Sequence, residues 1–111
     1  MIDAIEKYIE TFDEHTIQRF RTLYNLILAS TSQEIEEQLW ARLPSIYCGK
    51  RFVRLIPFKD HINIEAKGIL TYKDRLPGYK ITPKGMLQIS HKQEIPGEIL
   101  KLVFKESLET E

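Results

Sequence analysis

The sequence predicts an α+β fold: one antiparallel sheet of five to six short strands, with two N-terminal helices and one C-terminal helix packed on one face. Three observations lead there. Apolar residues recur at helical spacing through residues 1–30, in alternation or near-continuous runs through 36–90, and at helical spacing again through 96–108. The run from Trp40 to Glu65 is the densest in β-branched and aromatic residues, and the turns Gly49-Lys50 and Lys59-Asp60 cut it into strands. Finally, 111 residues with 42% hydrophobic and 29% charged content suit a single domain, 1–111, around one core.

Ile2, Ile5, Ile9 and Phe12 give the first helix a narrow apolar stripe. Asp13 or Thr11 caps a second helix from about Glu14 to Ala29, whose face is Ile17, Phe20, Leu23, Tyr24, Ile27 and Leu28. Ser30-Thr31-Ser32 ends it, and Thr31 with Glu34 has the spacing of a capping box that opens one more short turn. From Ile35 the period changes to alternation, which gives a first strand ending before Pro44, since a proline interrupts a ladder. Ser45–Cys48 and Arg51–Phe58 follow as paired strands, and the second is apolar on both sides, as a central strand would be. A fourth strand points Ile62 and Ile64 inward and His61, Asn63 and Glu65 outward. Residues 67–76 hold a short helical turn around Leu70, and Tyr79–Thr82 with Met86–Ile89 make a last hairpin through Pro83-Lys84-Gly85. Pro96 opens the final helix where its missing N–H costs nothing, and Ile99, Leu100, Val103, Phe104 and Leu108 dock it on the sheet. The acidic tail beyond Leu108 is expected to fray.

Net charge is zero but unevenly placed. Residues 1–49 carry four Lys or Arg against eight Asp or Glu, residues 50–92 ten against three, and residues 93–111 two against five. The basic middle can attract an anionic partner; alternatively its lysines guard exposed strand edges. Its aromatic residues are expected to point inward, which leaves few stacking platforms and disfavours nucleic acid. No apolar window is long enough for a membrane span, and no basic flank precedes an apolar run at the N-terminus. The lone Cys48 has no partner for an internal disulfide, which suits a reducing compartment, so the expected location is the cytoplasm.

The chain lacks a Gly-rich phosphate loop, a zinc-type Cys pair, His-Glu-x-x-His and Gly-x-Ser-x-Gly, so the expectation is a protein without catalytic activity. The residues expected to line a ligand groove are Trp40, Tyr47, Lys59 and His61, for a small anionic molecule or a protein partner. A different class of reading is an enzyme with His61 as general base. The outward trio His61, Asn63 and Glu65 repeats at about 7 Å along its strand, too wide to chelate an ion without other segments. Asp3, Glu6, Glu10 and Asp13 lie one position after the apolar stripe of the first helix and form a row of carboxylates. Such a row can hold Fe²⁺, Mg²⁺ or Ca²⁺ weakly, or it can simply favour the helix dipole and keep the outer face wet.

Trp40 followed by Pro44, the run Phe58-Lys59-Asp60-His61-Ile62, Gly78-Tyr79-Lys80, Lys84-Gly85 and a Pro96-led last helix together resemble the YdhG-like family, catalogued mostly as a domain of unknown function. The resemblance runs from the second helix to the last and rests on order and spacing. It implies an antiparallel sheet packed with helices, similar in outline to frataxin. It also implies, as an alternative function, a frataxin-like intracellular iron chaperone, for which Asp3, Glu6, Glu10 and Asp13 are the matching residue types. One departure concerns the Trp40 region: the family has two residues between Trp and Pro, whereas Ala41-Arg42-Leu43 separate them here.

Overall fold

A layer of helices lies on one face of a six-stranded antiparallel sheet in a computed structural model that describes residues 1–110. In chain order the elements are α1 (Asp3–Ile9), α2 (Glu14–Ser30), β1 (Glu36–Trp40), β2 (Leu43–Cys48), β3 (Arg51–Pro57) and β4 (His61–Ala66). Then come α3 (Ile69–Tyr72), a 3₁₀ turn (Lys73–Arg75), β5 (Lys80–Ile81), β6 (Leu87–Ser90) and α4 (Gly97–Glu109). The strand order is β1-β2-β3-β4-β6-β5, and every neighbouring pair is antiparallel.

Alternation decides which residues meet the helices. Along β4 the buried residues are Ile62, Ile64 and Ala66, and the register aligns them with Val53 and Leu55 of β3 and with Leu87 and Ile89 of β6. Phe20, Leu23, Tyr24 and Ile27 of α2 and Leu100, Val103, Phe104 and Leu108 of α4 complete the core above them. Leu28 is the exception to the expected face of α2, being partly exposed. The α3 segment approaches α4 so closely that a Cβ on Gly68 would lie 2.4 Å from the Val103 carbonyl oxygen. There the Gly68 amide donates to Ser107 Oγ at 2.8 Å, and that hydroxyl donates to the Val103 carbonyl at 2.7 Å.

Four local expectations are corrected. The first strand does end before Pro44, at Trp40, but a turn and not the proline ends it: Ala41 and Arg42 reverse the chain directly into β2 with φ of +49° and +66°. Pro44 sits inside β2, opposite Leu39, one residue before the ladder to β3 begins at Ser45. The helical turn expected from Thr31 and Glu34 does not form, although Thr31 Oγ1 accepts from the Gln33 amide at 3.1 Å; the same hydroxyl donates to Glu109 at 2.6 Å. Pro96 is the residue before the first turn of α4, not its first helical position. At the other end α4 continues to Glu109, which accepts from Thr31 and pairs with Lys105, so residues 109 and 110 are not frayed; Glu111 lies outside the described residues.

Candidate functional site

The helix-free face of the sheet gathers Trp40, Tyr47 and Phe52 around Arg54. One row across it reads Gln38, Ser45, Arg54, Glu65 on β1 to β4, and the next row towards the β2–β3 turn reads Glu36, Tyr47, Phe52. Arg54 is the centre. Its side chain is almost fully buried although it lies on the side without helices, because Trp40 and Phe52 cover its guanidinium at 4.1 and 4.2 Å from the ring centroids. Its Nε donates to Ser45 Oγ at 2.8 Å, Nη2 to the Tyr47 hydroxyl at 2.9 Å and Nη1 to Glu65 Oε1 at 2.9 Å. A guanidinium this enclosed has one orientation, so it sets the position of the Glu65 carboxylate.

Next to this stack a cleft of about 780 Å³ opens where the β2–β3 turn, the end of β4, the β5–β6 turn and the last turn of α4 meet. Lys50, Arg51, Lys67 and Lys84 line it, with Glu65 as the one acidic residue. Phe52 and Leu70 supply apolar wall, and Leu70 is the most exposed large apolar side chain described, at 63%. Phe52 and Glu65 belong to both the Arg54 stack and the cleft, which makes the two one continuous surface. Its volume falls in the range of small-molecule sites.

The four residues expected to form a groove are not brought together. Trp40 and Tyr47 join through Arg54, but Trp40 is 49% exposed on the sheet surface and is neither core nor pocket lining. Lys59 and His61 lie at the far end of β4, and β1 and β4 are three strand intervals apart, on the order of 15 Å. There His61 stacks on Phe58 at 4.5 Å between centroids, and its Nδ1 is 2.6 Å from Asp60, whose carboxyl is held below the usual carboxylate range by that bond. The expectation that the middle aromatics point inward is corrected as well: Trp40, Tyr47 and Phe52 stand on the side away from the helices.

The expected carboxylate row is divided between elements. Asp3 and Glu6 are on α1, Glu10 is its C-terminal cap, and Asp13 caps α2 by accepting from the Thr16 amide at 2.8 Å. Glu6 is held by both terminal nitrogens of Arg21, at 2.8 and 2.9 Å. These bonds lower the pKa of Glu6, chiefly through Arg21, and of Asp13, chiefly through the Thr16 amide. Among the described residues no three His, Cys, Asp or Glu side chains are grouped to hold a metal ion. Cys48 is buried at the end of β2, with Sγ 3.0 Å from Gln33 Oε1.

Sequence reasoning missed the cleft because its lining comes from four separate stretches, two of them turns. The signal available was the basic excess of residues 50–92, which supplies all four of its cations. Among the described residues no helix is long and apolar enough to cross a membrane. Comparison of the chain with protein-family models, with curated proteins and with solved structures finds no match.

Proposed function

We propose that this is a non-enzymatic binding protein of the YdhG-like kind whose ligand, a small anionic molecule, enters the cleft beside the Arg54 stack. The observation that supports this most is the convergence of Lys50, Arg51, Lys67 and Lys84 on one concave site with an apolar wall. This keeps the class of ligand expected from the sequence and moves its place from the Trp40–His61 region to the other end of the sheet. The Lys and Arg heads supply the charge, and Phe52 and Leu70 supply burial for the ligand's carbon skeleton.

The test is thermal unfolding against carboxylates, sulfates and phosphate esters, since a ligand bound only by the folded state raises Tm with concentration. At least one class is expected to raise Tm, less so at high salt, and Lys50→Glu with Lys84→Glu is expected to abolish the rise. A rise that survives both charge reversals, or no rise with any class, would remove the cleft as an anion site.

A further inference from the structure

The cleft holds one residue that an anion-binding site does not need. Glu65 places a carboxylate among Lys50, Arg51, Lys67 and Lys84, where it repels any purely anionic ligand. Its orientation is dictated by a group on the next strand. Arg54 is only 4% exposed, is covered by Trp40 and Phe52, and bonds Ser45, Tyr47 and Glu65 Oε1. The second carboxylate oxygen, Oε2, makes no hydrogen bond among the described residues, and the side chain is 37% exposed where it borders the cleft. An ionised carboxylate can only accept, so its complement on a ligand is a hydrogen-bond donor. Phe52 lies in the same wall, with its ring against the Arg54 guanidinium.

Resting on the anion-cleft reading, we propose that the ligand is bifunctional: a phosphate ester held by the lysines, joined to a flat ring whose amino group is read by Glu65. Arg54 is the positioning residue, since it holds Oε1 and leaves Oε2 to the ligand. An aminopurine nucleotide has this chemistry, either free or as the 5′ end of a strand. A half-open cleft of about 780 Å³ accommodates one such unit.

The test titrates the whole protein with AMP, with purine riboside 5′-monophosphate, which lacks only the amino group, and with ribose 5-phosphate. Emission of Trp40, the only tryptophan, provides the readout, and calorimetry checks it. AMP is expected to bind about ten- to a hundredfold tighter than the deamino analogue, the usual worth of a hydrogen bond to a charged group. Glu65→Gln keeps an acceptor for Arg54 but turns an amide NH₂ towards the ligand, and it is expected to erase that preference while the analogue, no longer facing the carboxylate's charge, binds more tightly than to the native protein. The Gln variant loses the charge that faces Arg54 and is expected to unfold at a lower midpoint, so a native Trp40 emission maximum and a cooperative transition are what show that the stack is intact. Equal affinity for AMP and its analogue in the native protein, or a preference that survives Glu65→Gln, overturns the proposal while leaving the anion site standing. No binding by any of the three, ribose 5-phosphate included, overturns the proposal and removes its anion-site premise for phosphate esters. A 5′-phosphorylated oligoadenylate separates the sources: tighter binding than AMP assigns a strand end, weaker binding a free nucleotide.

Discussion

Arg54 is the residue on which the helix-free face depends. A buried guanidinium is costly unless its charge and its donors are matched, and here Glu65, Ser45 and Tyr47 match them while two rings exclude water. Removing it leaves the Glu65 carboxylate and the Tyr47 hydroxyl without that partner and bares the faces of Trp40 and Phe52. Arg54→Ala is therefore expected to lower unfolding free energy by about 2–4 kcal/mol, measured in urea, with a red shift of Trp40 emission. Arg54→Met, which refills much of the volume while the partly exposed Glu65 can hydrate, is expected to cost roughly half as much. A larger loss for Met than for Ala would show that the stack is not held by packing around the guanidinium.

At the scale of elements, the β1–β2 hairpin shows where local rules and local residues disagree. A two-residue turn with both φ values positive favours Asn-Gly, whereas Ala41 and Arg42 occupy it here. Each residue with a Cβ pays for the left-handed region, so Ala41→Asn with Arg42→Gly is expected to stabilise the chain by about 1 kcal/mol, a rise of several degrees in Tm. A fall in Tm would mean that the Arg42 side chain contributes more than the turn strain costs. The same mismatch explains why the turn was illegible: neither Ala nor Arg signals a reversal, while Pro44, three residues after Ala41, signals an interruption that does not occur. Thr31 is the converse case. Its capping-box spacing is real and its hydroxyl accepts from the Gln33 amide at 3.1 Å, but the same hydroxyl donates to Glu109, 78 residues away in the chain, and no helical turn follows before β1 begins at Glu36.

At the scale of the molecule, His91 ties the helix layer to the sheet. Its Nε2 is 3.1 Å from Thr16 Oγ1 on α2 and 3.2 Å from the Phe58 carbonyl in the β3–β4 turn; that carbonyl only accepts, so Nε2 carries the hydrogen. Nδ1 is buried without a hydrogen bond among the described residues. Burial lowers the His91 pKa first, and Arg19 and His15 oppose its charging further, while the Phe58 carbonyl and Asp13 favour the charged form and only partly offset this. Below the unfolded value of about 6.5 the unfolded chain takes up a proton that the folded ring resists. His91 therefore contributes a loss of stability as pH falls from about 6.5 through its lower folded pKa. The difference in urea midpoint between pH 7.5 and 5.5 is expected to shrink in His91→Gln; an unchanged difference would assign it to other groups. At more acid pH the depressed carboxyls of Glu6, Asp13 and Glu109 act in the same sense, their contributions being lost as each is protonated.

The sequence by itself determined the elements and their order, because helical and alternating periods are local properties of the chain. The alternation of Ile62 and Ile64 with His61, Asn63 and Glu65 assigns β4 its two faces without any coordinates. For β3 the same reasoning stops: Phe52 and Ile56 on one side and Val53 and Leu55 on the other are all apolar, so periodicity pairs residues on a face but cannot say which face the helices cover. Only the tertiary structure decided that Phe52, with Trp40 and Tyr47, is left on the open side around Arg54. The cleft is likewise tertiary, since Lys50, Lys67 and Lys84 become neighbours only once three strand ends and the last turn of α4 meet. Packing joins residues by distance in space, and no pattern along the chain carries that distance.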